Sequence, residues 1–272
     1  MDTRPLGVFD SGLGGLSGFR HLAEIMPMED IIYLGDTGRV PYGTRSDETI
    51  IRYASEDAQF LVKKGVKAIL VACNTVSATA MPVLRDTFDI PLFDVVTAAI
   101  HASIAATKNG RIGLIGTEAT VRSGVYGKRI RALRPDIEVY ETACPLLVPL
   151  VENGRIKRGD IVAETVVSEY LADIRNRGAD TLILGCTHYR MMRDVIADFM
   201  GDGVTLVDSG AVGAEDMARV LTESGLSAER ERAGKHSFFV TDSTEGFERQ
   251  ASVFLGSEEK FAVSRTELSE VH

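Results

Sequence analysis

The sequence predicts an α/β protein of two similar α/β domains with mostly parallel sheets and an active site in the cleft between them. Three observations carry that expectation. Short β-branched runs ending in Gly, Asp, Asn or Cys alternate with longer segments of helical period, which is the rhythm of βαβ units. The rhythm restarts near residue 96, dividing the chain into 1–96 plus 208–272 and 97–207. Two apolar runs, Ile69-Leu70-Val71-Ala72-Cys73-Asn74-Thr75 and Leu182-Ile183-Leu184-Gly185-Cys186-Thr187-His188, each end in Cys and a polar pair, one in each division.

In chain order the pattern reads strand Leu6–Asp10, helix Leu16–Met26, strand Asp30–Asp36, helix Asp47–Lys64, strand Ala68–Asn74, helix Ser77–Phe88 and strand Ile90–Asp94. The second series reads helix Val96–Lys108, strand Arg111–Thr117, helix Ala119–Leu133, strand Ile137–Tyr140, a loop, helix Asp160–Arg177, strand Thr181–Cys186 and helix Tyr189–Phe199. Val204–Asp208 reads as a crossover strand. Helix Ala211–Ser224, strand His236–Thr241 and helix Gly246–Leu255 are expected to return to the first sheet, with the polar stretch Ala228–Gly234 as a linker. The charges of Asp47–Lys64 read as the solvated face of a helix.

The 272 residues provide enough chain for one large or two modest cores. With 30 Lys+Arg against 39 Asp+Glu the net charge is −9, and no basic stripe could neutralise a row of phosphates, which argues against nucleic acid as a partner. The apolar runs are too short to span a membrane, and the first residues lack a signal-peptide core, so a cytoplasmic protein is expected. Three widely spaced cysteines do not make a disulfide framework.

Ligands of open α/β sheets bind beyond the carboxyl ends of the strands, which places Cys73 and Cys186 on the functional rim of their halves. A cysteine between a strand and a helix faces the helix's positive end, which should favour thiolate. Two such thiols facing one another across a cleft suit inversion of a carbon centre, where one group removes a proton from one face and another delivers a proton to the other. Cys144 has no such setting and reads as structural. Phe9-Asp10-Ser11-Gly12-Leu13-Gly14-Gly15 is a glycine-rich turn into a helix, but it has neither the GxGxxG spacing nor a P-loop Lys. Ser11, Asn74, Thr75, Thr117, Thr120 and Thr187 near strand ends, with Pro41-Tyr42-Gly43, are candidate carboxylate holders. His188 is placed to tune Cys186, and Asp10 to tune Cys73; Glu152 is a further candidate. No CxxC or HxxxH pair exists and no Lys falls in these motifs, so neither a metal nor pyridoxal phosphate is expected, nor any other cofactor. An amino-acid-binding module and a thiol redox protein remain as readings of a different class.

Those motifs, with Gly35-Asp36-Thr37, Pro145 to Glu152, Val207-Asp208-Ser209 and the tail from Phe239 to Gly256, resemble the bacterial glutamate racemases over nearly the whole chain. The resemblance implies a cofactor-independent, homodimeric enzyme that interconverts L- and D-glutamate and supplies D-glutamate for peptidoglycan. It implies that Cys73 deprotonates D-glutamate and Cys186 deprotonates L-glutamate, with Asp10, His188 and Glu152 in support. It also implies that Ser11, Tyr42, Gly43, Asn74, Thr75 and Thr187 touch substrate, with Thr117 and Thr120 beside them. An aspartate racemase is the nearest alternative, since two thiols do not fix side-chain length. The chain departs from the family pattern at Val76, usually Ala, and at Arg190, usually Pro; the first should narrow the pocket and the second alter the following helix. Little sequence precedes the first strand, which argues against activation by a cell-wall precursor.

Overall fold

The computed structural model describes residues 2–256 and 262–268. The chain begins with β1 (Leu6–Asp10), α1 (Leu16–Ile25), β2 (Ile31–Gly35), α2 (Asp47–Lys63), β3 (Ala68–Val71), α3 (Asn74–Thr79), α4 (Met81–Thr87), β4 (Leu92–Asp94) and α5 (Val95–Ala106). It continues with β5 (Arg111–Gly116), α6 (Glu118–Ser123), α7 (Val125–Leu133), β6 (Glu138–Ala143), α8 (Leu147–Glu152), α9 (Ile161–Asn176) and β7 (Thr181–Gly185). A single 3₁₀ turn over Tyr189–Met192 leads into α10 (Arg193–Met200) and β8 (Thr205–Asp208), and the tail holds α11 (Ser209–Glu223), β9 (His236–Val240), α12 (Thr244–Leu255) and β10 (Val263–Arg265).

Two all-parallel sheets result, with strand orders β10-β9-β2-β1-β3-β4 and β6-β5-β7-β8. The inner order of the first, β2-β1-β3-β4, repeats as β6-β5-β7-β8 in the second, so β3 and β7 are equivalent strands. In each sheet the chain runs outward from a founding strand, β1 or β5, to one side and then returns to its other side. That reversal opens a crevice at the carboxyl ends of β1 and β3, and another at those of β5 and β7. Strand β9 joins the first sheet beside β2, as the sequence predicts.

Alternation along the buried strands divides the core. Val8 faces one apolar cluster while Phe9 faces another, and Leu182 and Leu184 face the first while Ile183 turns to a third. The first cluster contains residues of both sheets with Ala214, Met217 and Leu221 of α11 between them, so one continuous core joins the two layers. Helices are capped by side chains at their N-termini: Ser46 on Thr49 N, Asp94 on Thr97 N, Thr117 on Thr120 N, and Asp160 and Asp208 on two amides each.

Several expected elements differ. The helix expected over Ser77–Phe88 starts at Asn74 and breaks at Ala80, because Pro82 lacks an N–H and opens a new helix instead of continuing the old one. The helix over Ala119–Leu133 breaks at Gly124, whose φ of +62° is left-handed. The expected loop after β6 contains α8, and β10 adds an edge strand. The supposed linker 228–234 is pinned down: Ala228 N donates to Glu29 Oε1 at 2.7 Å, Gly234 N to Pro27 O at 2.8 Å, and Arg230 and Arg232 pair with Asp30. Finally, α2 is not merely solvated on its charged face, since Glu56 and Asp57 turn inward.

Candidate active site

The two crevices place the chemistry-bearing residues. Cys73 follows β3 and is the N-cap of α3, and Cys186 follows β7. Both are nearly closed off, at 5% and 7% exposure, and all three cysteines are free thiols. The turn after β1 meets both strand ends, Ser11 lying beside Cys73 and Gly14 against Thr187 and His188, which follow Cys186.

On the first side, Asp10 ends β1 and Ser11 follows it, with Ser11 Oγ 3.4 Å from Cys73 Sγ. Asp10 is fully buried and its Oδ2 accepts from Gly12 N at 3.0 Å. Burial raises its pKa, with His188 and the Gly15 and Gly12 amides opposing the rise. The Cys73 thiol is pushed up to about 12, chiefly by burial and then by the Asp10 charge, while Ser11 and the Val76 amide pull the other way. The expected thiolate-favouring setting therefore fails at Cys73. The Val76 amide in the first turn of α3 does reach the sulfur, but desolvation outweighs it.

On the second side, His188 Nδ1 lies 3.9 Å from Cys186 Sγ and Nε2 lies 3.3 Å from Glu152 Oε1, at the end of α8. Phe254 of α12 sets its ring edge-on to the imidazole at 5.6 Å. Burial alone would favour neutral imidazole; the Cys186 and Glu152 partners and the Asp10 charge outweigh it and raise the His188 pKa to about 10. These neighbours favour the protonated ring, beside a sulfur.

Hydroxyls run from one side to the other. Thr75 Oγ1 meets Thr117 Oγ1 at 2.9 Å, and Thr117 Oγ1 meets Thr120 Oγ1 at 3.0 Å. Gly43 lies against the same turn, its carbonyl accepting from Ala119 N at 3.0 Å. Thr187 lies against Gly14, where an added Cβ would fall 2.1 Å from its Oγ1 and 2.7 Å from His188 Nδ1. Glycine at this turn is what lets the two sides approach.

Two expected substrate contacts have their side chains engaged elsewhere. The one proton of the Tyr42 hydroxyl is shared between Asp36 and Asp57, the latter at 3.1 Å. Asn74 bonds Ser209 through Nδ2 and Tyr126 through Oδ1. Val76 is fully buried in the apolar cluster beneath α3, and Arg190 pairs with Asp208.

Sequence reasoning missed the group beneath Tyr42. Arg39 reaches Asp36 at 2.5 Å, Asp57 at 3.2 Å, and Glu56, while Thr241 donates to Asp36 Oδ1 at 2.7 Å. Burial and the neighbouring Asp36 charge hold the Asp57 carboxyl well above the usual range. The Gly35-Asp36-Thr37 motif was a signal for one member only. Among the described residues no set of three or more His, Cys, Asp or Glu side chains is arranged to hold a metal ion.

Such a site has two thiols, each with a polar companion, between walls of hydroxyls. It can exchange protons on two faces of a bound carbon acid. Comparison with known proteins agrees in kind. A family model described as Asp/Glu/hydantoin racemase matches residues 19–217. A glutamate racemase of Geobacter metallireducens is 44% identical over 256 residues, covering 94% of each chain. The crystal structure of a glutamate racemase isoform of Bacillus anthracis superposes with a TM-score of 0.91 at 35% identity, covering 98% of both chains. That of a Francisella tularensis glutamate racemase in complex with D-glutamate gives 0.89 at 37%, again covering 98% of both. On this agreement of fold and sequence, the chain belongs to the Asp/Glu/hydantoin racemase family.

Proposed function

We propose that the protein is a cofactor-independent glutamate racemase in which two units, residues 1–96 with 208–272 and residues 97–207, each bring one thiol to Cα of the substrate. The observation that carries this reading is the pair of buried sulfurs, Cys73 and Cys186, at equivalent strand ends that the turn Ser11–Gly14 brings together. In the L-to-D direction Cys186 takes the Cα proton and the Cys73 thiol delivers its own to the opposite face. The D-to-L direction reverses the roles, so each turnover exchanges which sulfur carries the proton. Burial favours the thiol form of Cys73 in the resting site, from which its proton is readily given to a carbanion, and the His188 ring stabilises negative charge on the sulfur beside it. Asp10 acts on both sides, its charge reaching Cys73 and His188. Ser11, Thr75, Thr117, Thr120 and Thr187, with the backbone at Tyr42, Gly43 and Asn74, hold the carboxylates.

A Cα proton is far less acidic than a thiol, so the site must stabilise the growing negative charge. Excluding water strengthens every charge interaction there, and fixed hydroxyl and amide dipoles need no reorganisation. Glutamate is chosen because the full-length relatives bear that name and one solved relative holds D-glutamate. The same reading assigns the enzyme to D-glutamate supply for peptidoglycan, to the cytoplasm and to a homodimer, without nucleic-acid or membrane partners. No helix among the described residues is long and apolar enough to cross a membrane.

The test is circular dichroism of L-glutamate incubated with the reduced protein in D2O without cofactor, followed by NMR at Cα. Loss of optical signal with deuterium incorporation is the expected result. Turnover of aspartate instead would overturn the substrate assignment, and binding without exchange at Cα would make the protein a binding module.

A further inference from the structure

The cysteine-bearing segments are joined by a chain of buried hydrogen bonds. Tyr126 of α7 donates its hydroxyl to Asn74 Oδ1 at 2.7 Å, Asn74 Nδ2 donates to Ser209 Oγ at 2.9 Å, and Ser209 donates to the Leu184 carbonyl at 2.8 Å. Asn74 directly follows Cys73, and Leu184 lies on β7 just before Cys186. The side chains are sealed from water, at 0% exposure for Tyr126, 2% for Asn74 and 1% for Ser209.

The direction of every bond is fixed by elementary donor counting. A carbonyl accepts only, so Ser209 must spend its one proton on Leu184 and its oxygen must accept from Asn74. That sets the amide with Nδ2 toward Ser209 and leaves Oδ1 for the single Tyr126 proton. The chain has one hydrogen-bonding arrangement and one set of spacings. A second tie flanks it: Asp208 caps α11 with Oδ1 on the Gly210 and Ala211 amides and pairs through Oδ2 with Arg190, just past His188. The start of α11 thereby bonds the backbone just before Cys186 and the side chain of the residue next to Cys73.

We propose that Ser209 is a positioning residue for proton transfer, fixing through Asn74 and Leu184 the separation of the two sulfurs across the substrate. The inference rests on the two-thiol reading given above. Ser209 touches neither sulfur; it acts by holding the strand ends in register. Proton transfer between heavy atoms is steeply dependent on distance, and a misplacement of about 1 Å costs on the order of a hundredfold in rate.

The experiment measures wild type, S209A and Y126F together with L- and D-glutamate, recording kcat, KM, the primary deuterium isotope effect from Cα-deuterated substrate, and melting temperature. For S209A the expected result is a fall in kcat of about tenfold to a hundredfold. KM should stay within about twofold, and the isotope effect should rise as proton transfer comes to limit the rate. Y126F, which frees the amide without removing the Ser209 bond, is expected to shift the same quantities by a smaller factor, and it decides the matter if S209A does not fold. A lowered melting temperature with kcat and the isotope effect unchanged would overturn the proposal, since Ser209 would then serve stability alone. So would a rise confined to KM. If wild type racemises neither enantiomer, the functional reading fails and the proposal with it; an active wild type beside a fully active S209A refutes the proposal alone.

Discussion

His188 shows how neighbours set the charge of a buried side chain. Desolvation favours the neutral ring, yet Cys186 at 3.9 Å and Glu152 at 3.3 Å outweigh it and raise the pKa to about 10. The folded value lies above the ordinary 6.5, so the ring's contribution to stability is fully present below about pH 6.5 and is lost as pH rises through about 10. H188N should therefore be less stable than wild type near pH 6, with the gap in urea midpoint closing toward pH 10.5; a gap independent of pH would refute the charged-ring account. Cys73 shows the converse. Its place between strand and helix was legible in the sequence, but its depth was not, and depth decides the acidity. Likewise Tyr42 and Asn74 are expected from the sequence to touch substrate, while the engagement of their side chains by Asp36, Asp57, Ser209 and Tyr126 depends on partners distant in sequence.

Among the elements, the strands were the most legible, because apolar β-branched runs bounded by Gly, Asp and Cys admit few other readings. Helix breaks were less so. A helical period passes unbroken through Gly124, and only the backbone reveals its left-handed turn between α6 and α7. G124A should cost more than about 1 kcal/mol in denaturant unfolding, since an L side chain resists that conformation. The inward charges of α2 were hidden for a different reason: periodicity marks which residues share a face, not whether an arginine from another segment meets them. Arg39 is the cation for Asp36, Glu56 and Asp57. R39M leaves those carboxylates facing one another, and a loss of about 3–5 kcal/mol is expected from urea denaturation. A loss below about 1 kcal/mol would show that the carboxylates are adequately solvated or protonated without it.

At the scale of the whole molecule, the strand order 2-1-3-4 of the first sheet recurs as 6-5-7-8 in the second, and each copy carries a cysteine after its third strand. The matching Cys-containing runs made this duplication legible in sequence. What no single copy encodes is the way the two copies face each other, which depends on Gly14 against Thr187, on the threonine hydroxyls between α3 and α6, and on α11 between the sheets. Racemisation also constrains the kinetics of the assembled site. Enantiomers have equal energy in solution, so kcat/KM must be the same in both directions for any variant, and a rate assay alone cannot assign a sulfur to a face. The most direct measurement is elimination from each enantiomer of a glutamate analogue bearing a leaving group at Cβ, a reaction that needs only Cα deprotonation, using C73S and C186S. The account predicts that both variants lose racemisation by about 10²–10⁴-fold, that C73S still eliminates from the L-analogue, and that C186S still eliminates from the D-analogue. Elimination from both enantiomers by either variant, or racemisation retained in either, would contradict the two-thiol mechanism.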